Sequence, residues 1–197
     1  VFPLIRNGTR EQKAFFGELS YDISDQLPAT VGARQFDYDI GGIESFNGAL
    51  FTSLPPANEK GQSYKALLAY TPNEDILVYS QWAEGFRPGK GLSPNPICAA
   101  LNIPSPTQLD SDTTENFEFG FKSSWAENKF VLNAALYRIN WDGIPVTVNR
   151  GNTSGAANCT VTLNAGEAVS EGFELEFKGR VIESIHIDLS ASYGETT

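Results

Sequence analysis

The sequence predicts an all-β fold, in which about eight long antiparallel strands form an up-and-down segment of a transmembrane β-barrel. Three observations predict it. Apolar and polar residues alternate with a period of two in eight segments. Short and long connections alternate strictly between these segments. The segments themselves are about 10 to 12 residues long, whereas soluble strands usually have about five or six.

The composition restricts the class of protein further. The 197 residues include 14 Lys and Arg and 24 Asp and Glu, so the net charge is −10 and a nucleic-acid partner is not expected. No run approaches the roughly 18 consecutive apolar residues of a transmembrane helix. The chain contains no methionine, so we expect residue 1 to result from processing or truncation. A soluble β-rich domain and a membrane β-barrel both remain compatible with these counts.

The first four strands follow from the alternation in chain order. Apolar residues occupy the odd positions from Phe15 to Ile23, and a second run begins just after Pro28, near a strand start where a missing N–H is tolerated. The third run ends at the turn residues 71–75, and the fourth follows it directly. The alternating residues that mark these four strands lie at about 15–23, 29–34, 64–70 and 76–87.

The last four strands carry the clearest alternation. In the fifth, Phe117, Phe119 and Phe121 alternate with polar residues and glycine. The turn residues 125–128 lead into the sixth strand, and the seventh and eighth again place aromatic and aliphatic residues at every second position. The alternating residues that mark these four strands lie at about 117–122, 130–141, 173–178 and 185–194.

The connections decide between the two β classes. Links within the pairs of strands one–two, three–four, five–six and seven–eight are short enough for hairpins. The other three are predicted to be long loops, at about 39–62, 88–112 and 143–165. All long loops then leave from one rim, which is typical of outer-membrane barrels. Together with the strand length this favours the membrane barrel.

A membrane barrel predicts which face each residue occupies. The row Phe117, Phe119 and Phe121 is expected to contact lipid, whereas Glu118 and Lys122 are expected to line the lumen. Aromatic residues near strand ends are expected at the level of the lipid head groups, where amphipathic rings are favoured. These aromatic residues are Tyr38, Tyr64, Tyr70, Trp82, Phe86, Trp125 and Trp141.

The two cysteines lie in loop-like segments rich in Pro, Asn, Gly and Ala. Cys98 and Cys159 fall in the second and third predicted loops, which leave from the same rim. We therefore expect one disulfide and an oxidising compartment, with two unrelated free thiols as the alternative.

The residues that carry chemistry in enzymes do not form a catalytic pattern in this sequence, so neither an enzyme nor a cofactor is expected. His186 is the only histidine, which removes His-based triads and makes a hydrogen-bonding role in the lumen the expected one. Glu174 and Glu176 have the spacing of paired carboxylates, but in a barrel wall we expect them to line the lumen and pair with Lys178 or arginine. No metal site is expected, because the cysteines form no CxxC motif.

Four segments resemble one known family in their sequence and in their order. Residues 79–89 look like a strand that ends in a Gly-Phe-Arg-Pro-Gly rim, formed here by Gly85, Phe86, Arg87, Pro88 and Gly89. Residues 115–122 are similar to a Glu-Asn-aromatic-Glu-x-Gly-x-Lys strand. Residues 133–141 follow one hairpin later, and residues 164–176 resemble an Asn-Ala-Gly strand that leads into Gly-x-Glu-x-Glu. The family is that of the TonB-dependent outer-membrane receptors, and the resemblance covers nearly the whole chain.

The resemblance implies a function in transport across the bacterial outer membrane. Members of this family bind a scarce nutrient, most often a ferric siderophore or another iron complex, and import it with energy relayed by the TonB coupling protein. They have a barrel of about 22 strands and an N-terminal plug domain through which TonB acts. We therefore expect residues 1–197 to be a partial receptor barrel, without the plug and the remaining strands, in contact with outer-membrane lipid.

The three long loops are where ligand contacts are expected, because loops on a rigid scaffold carry function. The candidate ligand-binding residues are Phe46, Asn47, Asn95, Trp141 and Arg150. Arg87 is expected to be a structural residue of the rim that pairs with a carboxylate. A Cys98–Cys159 bridge is expected to tie the second loop to the third.

Two other classes of protein remain as alternatives. A complete eight-stranded barrel with a structural or adhesive role predicts that the first strand is hydrogen-bonded to the eighth. A secreted β-sandwich that binds carbohydrate predicts that the Phe117, Phe119 and Phe121 row is buried against a second sheet.

Overall fold

The computed structural model describes residues 4–46, 49–93, 95–151 and 158–197. Eight long strands form one antiparallel sheet, and two short strands pair separately within a connection that also contains one short helix. The elements are β1 Leu4–Ser24, β2 Leu27–Phe46, β3 Ala49–Asn73, β4 Ile76–Arg87, β5 Lys90–Gly91, α1 Pro96–Ala100, β6 Gln108–Leu109, β7 Asp112–Trp125, β8 Phe130–Gly151, β9 Asn158–Ile182 and β10 Ile185–Thr196.

The large sheet has up-and-down topology, because its strand order is β1-β2-β3-β4-β7-β8-β9-β10 and each strand pairs antiparallel with the next. Short turns join β1 to β2, β3 to β4, β7 to β8, and β9 to β10, as the sequence predicts. All four turns lie at one end of the sheet. We call the opposite end of the sheet the outer end.

The predicted loops 39–62 and 143–165 are wrong, because most of these residues are paired strand. The β2–β3 ladder continues to the pair Phe46 and Ala49, and the β8–β9 ladder continues to Gly151 and Asn158. Backbone pairing satisfies the N–H and C=O groups of each segment despite its glycines and prolines. Among the described residues, only the connection at 88–111 is a long loop, and the strands reach 25 residues in β3 and β9.

The register places the alternating residues on two chemically different faces. Opposite partners share a face, so Trp82, Phe117 and Arg138 follow one another on one face, and Ser80, Phe119 and Leu136 lie beside them. Apart from Arg138 and the serine these residues are apolar, and the face continues through Phe173, Leu175 and Leu189 of the last two strands. Its side chains are exposed, Phe119 by 52% and Leu136 by 59%. Glu171 lies opposite Arg138 on this face and forms a salt bridge with it.

The polar face is held by contacts between neighbouring side chains. Tyr79 donates a hydrogen bond to Glu118 at 2.6 Å, and Lys65 lies 2.8 Å from Glu18 across the intervening strand β2. Glu176 pairs with Lys178 of its own strand at 2.7 Å and accepts a bond from Asn133 at 3.0 Å. Gly120 of the Glu-Asn-Phe-Glu-Phe-Gly segment lies beneath the Tyr79 ring, and a Cβ there would collide with it. His186 is exposed on this face, opposite Arg180.

Both alternative folds disagree with this sheet. A complete eight-stranded barrel requires β1 to pair with β10, but these strands are the two edges of the sheet. A sandwich requires the phenylalanine row to be buried, but Phe117 and Phe119 are each about half exposed. The open sheet with one apolar face agrees with a segment of a larger barrel, since unpaired edges are costly in a bilayer.

Buried side chains are concentrated at the outer end. Apart from glycines, nine described residues are buried, and all but Ser123 lie at or next to the connection between β4 and β7. The eight are Phe36, Tyr38, Ala57, Cys98, Leu109, Asp112, Cys159 and Val161. In the part of the chain that the structure describes, no helix is long and apolar enough to cross a membrane.

Candidate ligand-binding surface at the outer end

Three segments form the outer end. The first outer hairpin, residues 36–46 and 49–61, is the part of β2 and β3 that extends past the pairing of β3 with β4. The second outer hairpin, residues 143–151 and 158–166, extends β8 and β9 past their pairing with β7. The connection at 88–111, which we call the strap, contains β5, α1 and β6. The strap leaves β4 and returns to β7 between the two hairpins.

Both ends of the strap contact the first outer hairpin through Tyr38 and Glu59. The Gly89 N–H donates to the Tyr38 hydroxyl at 2.9 Å, and that hydroxyl donates to the Glu59 carboxylate. Glu59 also accepts from the backbone N–H of Ser111 at 3.0 Å and from its hydroxyl at 2.7 Å. One buried phenol and one carboxylate thus hold the two ends of the strap together. We call the end at Gly89 the entry of the strap and the end at Ser111 its exit. Gly89 is required at the entry, because a Cβ would overlap the carbonyl oxygen of Leu109.

Burial and hydrogen bonding set the protonation state of this network. Tyr38 is 1% exposed, and Phe36 and Phe86 stack beside it with ring centroids 6.0 and 6.4 Å away. Burial of the ring, and then its hydrogen bond to Glu59, raise the pKa of Tyr38 above its usual value. The phenol is therefore protonated at neutral pH and acts as the donor to the Glu59 carboxylate.

The exit of the strap also contacts the second outer hairpin, through Asn164. The Asn164 side chain accepts from the Asp110 N–H at 3.0 Å and donates to the Asp110 carbonyl at 3.0 Å. The same amide nitrogen donates to the Gly143 carbonyl at 2.8 Å. Asp110 and Ser111 are adjacent in sequence, so two consecutive residues of the strap bond to two different hairpins.

The middle of the strap is attached to the second outer hairpin by a disulfide between Cys98 and Cys159. Cys98 lies in α1, which Asn95 caps by accepting from the backbone N–H groups of Ile97 and Cys98. The Asn95 amide also donates to the Thr160 carbonyl of β9 at 3.2 Å. Both cysteines are fully buried and pack with Val161. The partly buried side chains of Ile103, Val148 and Leu163 pack against this cluster.

A cationic and aromatic pair lies where the strap joins the sheet. Arg87 forms a two-pronged salt bridge with Asp112, its pairing partner across β4 and β7. The Arg87 guanidinium lies over the Trp141 ring, 5.3 Å from the ring centroid. Asp112 is buried, whereas the Arg87 side chain is 58% exposed. This pair presents a cation and an aromatic ring to a solute at the outer end.

The structure brings together only some of the residues that the sequence proposes for ligand binding. Trp141 lies against Arg87, and Arg150 is exposed on β8 opposite Cys159. Asn95 lies at the start of α1, and both of its polar atoms are engaged within the chain. The backbone of Phe46 ends β2, but its side chain, like the whole of Asn47, lies outside the described residues.

Sequence reasoning assigned three aromatic residues to the wrong environment. Tyr38 was expected at the lipid head groups, but it is buried beneath the strap. Phe86 stacks on Phe36 with ring centroids 3.8 Å apart. Trp141 lies on the face of Thr114 and Arg87, the polar face. Only Phe86 lies near a strand end, whereas Tyr38 and Trp141 lie within β2 and β8, because these strands continue past their predicted ends. The strap covers this end of the sheet and provides a protein environment for the rings.

Apart from the two cysteines, the residues that anchor the strap were missed in the sequence. Tyr38, Glu59 and Ser111 are 21 to 73 positions apart along the chain, and no local pattern connects them. Asn164 could have been singled out from the sequence, because it begins the Asn-Ala-Gly segment of the family resemblance. Among the described residues, no group of three or more His, Cys, Asp or Glu is arranged to hold a metal ion.

These features define a class of protein: the wall of a membrane β-barrel with an apolar outer face and an elaborated outer end. The chain belongs to the TonB-dependent receptor family, because the family model described as "TonB dependent receptor-like, beta-barrel" matches residues 3–197. Proteins of this family lie in the bacterial outer membrane, and this is the location of the present barrel segment.

Two curated relatives are named as a siderophore receptor and as a ferric-pyoverdine receptor. The probable TonB-dependent siderophore receptor PiuA of Acinetobacter baumannii is 25% identical over 164 residues, which are 81% of this chain and 20% of that protein. The ferric-pyoverdine 358 receptor of Pseudomonas putida is 23% identical over 203 residues, covering 100% of this chain and 23% of the receptor. The chain thus spans between a fifth and a quarter of the length of these relatives.

Solved structures show the same fold. The alcaligin outer-membrane receptor FauA of Bordetella pertussis superposes with a TM-score of 0.72 at 19% identity, covering 98% of this chain and 31% of FauA. The ferric yersiniabactin uptake receptor FyuA of Yersinia pestis has a TM-score of 0.71 at 19% identity, covering 99% of this chain and 28% of FyuA.

Proposed function

We propose that the protein containing this chain is an outer-membrane receptor that binds a ferric siderophore and imports it with TonB-coupled energy. The observation that carries the proposal is the family match over residues 3–197, joined to two relatives whose names specify siderophore or ferric-pyoverdine recognition. The outer end supplies the binding surface, and the polar face of the sheet lines the path beneath it.

The Arg87 and Trp141 pair is the candidate contact surface that the geometry favours. A guanidinium with unused donors suits an anionic or carbonyl-rich chelate, and an aromatic ring adds apolar contact area. Asp112 fixes the guanidinium from one side, so Arg87 is oriented before a ligand arrives. Such preorganisation lowers the entropic cost of binding.

Transport is tested with the intact receptor in a bacterium that lacks its own siderophore receptors. Uptake of radioactive iron is measured with ferric pyoverdine, ferric alcaligin and ferric yersiniabactin as probes. We expect uptake of at least one probe, and its loss when TonB is deleted or the proton gradient is collapsed. Uptake that persists without TonB, or no uptake of any ferric siderophore, contradicts the proposal.

The binding surface is tested with tryptophan variants of the purified receptor. We expect Trp141→Ala to weaken binding of the transported probe by roughly tenfold, which corresponds to about 1.4 kcal/mol. Trp125→Ala is the matched control, because Trp125 lies at the opposite end of the sheet next to a short turn. Equal dissociation constants for both variants and the wild type would remove Trp141 from the site.

A further inference from the structure

The strap has an unusual position among the outer elements, because it is bonded to both hairpins at once. Its exit is held to the first outer hairpin by Ser111 and Glu59 and to the second by Asp110 and Asn164. Its entry is held to the first hairpin by Gly89 and Tyr38, and its middle to the second by the Cys98–Cys159 disulfide. Four attachments are thus distributed over a segment of 24 residues, 88–111.

Burial supports the same picture. Apart from Ser123 and the glycines, every buried residue that the structure describes lies in the strap or at the outer end around it. The cores on the two sides of the strap are separate in sequence and in chemistry. One is the aromatic stack of Phe36, Tyr38 and Phe86, and the other is the disulfide with Val161. A segment that only rested on the surface would not create two buried cores.

The strap also has internal backbone bonds that fix its shape. β5 and β6 pair with each other, and the Leu92 N–H donates to the Thr107 carbonyl at 2.8 Å. The Ile103 N–H donates to the Cys98 carbonyl at 2.9 Å, which closes the chain after α1. The two halves of the strap are therefore joined to each other as well as to the hairpins.

We propose that the strap is a permanent brace that joins the two outer hairpins into one body, and that it does not open and close as a lid. The disulfide anchors it to the second hairpin, and the Tyr38 hydroxyl anchors it to the first. Any opening of the outer end then requires the two hairpins and the strap to move together. This inference concerns the receptor without ligand and does not depend on which solute is transported.

Amide hydrogen exchange of the intact, ligand-free receptor in lipid vesicles tests the brace. Three variants are compared with the wild type: Tyr38→Phe, the pair Cys98→Ser and Cys159→Ser, and the combination of all three. Tyr38→Phe keeps the buried ring and removes only the hydroxyl. That hydroxyl accepts a hydrogen bond from the Gly89 N–H and donates one to the Glu59 carboxylate. Tyr64→Phe is the matched control, because the Tyr64 hydroxyl bonds only the nearby Gln62 of its own strand.

The brace predicts a graded result at the amides of residues 89–92 and 101–111. In the wild type they exchange roughly a hundredfold or more slowly than an unstructured peptide, since local opening must break several attachments. Each anchor removed alone accelerates exchange, by roughly tenfold for the cysteine pair and by roughly threefold for Tyr38→Phe. The combination accelerates exchange by roughly thirtyfold, the product of the two effects, because the bonds of Glu59 and Asn164 to the strap remain. Tyr64→Phe matches the wild type.

Three results would overturn the proposal. The first is a wild-type strap that exchanges at the unstructured rate, since that describes a free loop. The second is a combined variant that exchanges no faster than the cysteine pair, since the Tyr38 anchor would then contribute nothing. The third is an unchanged rate in Tyr38→Phe, and this variant answers the question even if the cysteine variants fail to assemble.

Discussion

Apolar side chains are shielded from water in different ways in the wall of the sheet and in the strap region. In the wall, Phe119, Leu136 and Leu189 are more than half exposed on one face, and only lipid can cover them. In the strap region, Tyr38, Leu109 and Cys98 are covered by the chain itself. The wall therefore depends on its surroundings and on its backbone ladder. The strap region resembles a small soluble core, with a disulfide, stacked rings and side-chain hydrogen bonds.

This difference indicates where each substitution should be costly. A charge on the apolar face should be costly because of the bilayer, irrespective of neighbouring side chains. A polar residue of the strap region should be costly in proportion to the hydrogen bonds that it makes and to its burial. Surface ion pairs of the hairpins should contribute little.

The largest effect is expected from a charge in the middle of the wall. Phe119→Arg in the intact receptor should lower the free energy of unfolding by about 2–4 kcal/mol, as for a cation near the bilayer midplane. The measurement is equilibrium unfolding by guanidinium in lipid vesicles. Phe119→Leu is the control, because it keeps an apolar side chain at the same position. If Phe119→Arg and Phe119→Leu are equally stable, Phe119 does not face lipid.

An intermediate effect is expected from Asn164, whose side chain makes three bonds between the strap and the second outer hairpin. Asn164→Ala should lower the free energy of local opening at residues 108–111 by about 1–2 kcal/mol, because Asp110 and Gly143 lose their partners. Amide exchange measures this opening. Asn149→Ala is the control on the same hairpin, since Asn149 is exposed and accepts one bond from Thr160. Similar exchange in both variants would mean that Asn164 does not hold the strap.

The smallest effect is expected from an exposed ion pair of the first outer hairpin. Lys60 lies 2.8 Å from Asp37, and its side chain is 78% exposed. The hydrogen bond to Asp37 raises the pKa of Lys60, so Lys60 is charged at neutral pH. Lys60→Ala should nevertheless leave the exchange of the hairpin amides unchanged within error, because water screens the pair. A clear acceleration would indicate that the hairpin depends on this pair.

The strands and their faces could be predicted from the sequence because a two-residue period is a local property. The row Phe117, Phe119 and Phe121 showed it without help from any partner strand. The outer halves of β2, β3, β8 and β9 could not be predicted in this way. They contain Gly41, Gly42 and Pro145, which are typical of loops, and the pairing across each hairpin holds them in a strand.

The outer end could be predicted only in part, for a related reason. The Asn95-Pro96 pair is a recognisable helix start, but α1 has only five residues, too few for a periodic pattern. The carboxylate partner of Arg87 was expected from the sequence, whereas its identity as Asp112 follows from the register of β4 and β7. The contacts of Tyr38 with Gly89, Glu59 and Ser111 depend on three separate segments meeting, which no single segment encodes.

The central claim is that one face of the sheet contacts lipid, and site-directed nitroxide labels on β7 test it most directly. The described part of the chain has no free cysteine, so a single cysteine introduced in turn at positions 117 to 122 provides the labelling site in this segment. The intact receptor in vesicles is then exposed to oxygen, which partitions into lipid, and to a water-soluble nickel complex. The account predicts high oxygen accessibility at 117, 119 and 121 and low accessibility at 118, 120 and 122. Equal accessibility at all six positions, or the opposite alternation, would contradict it.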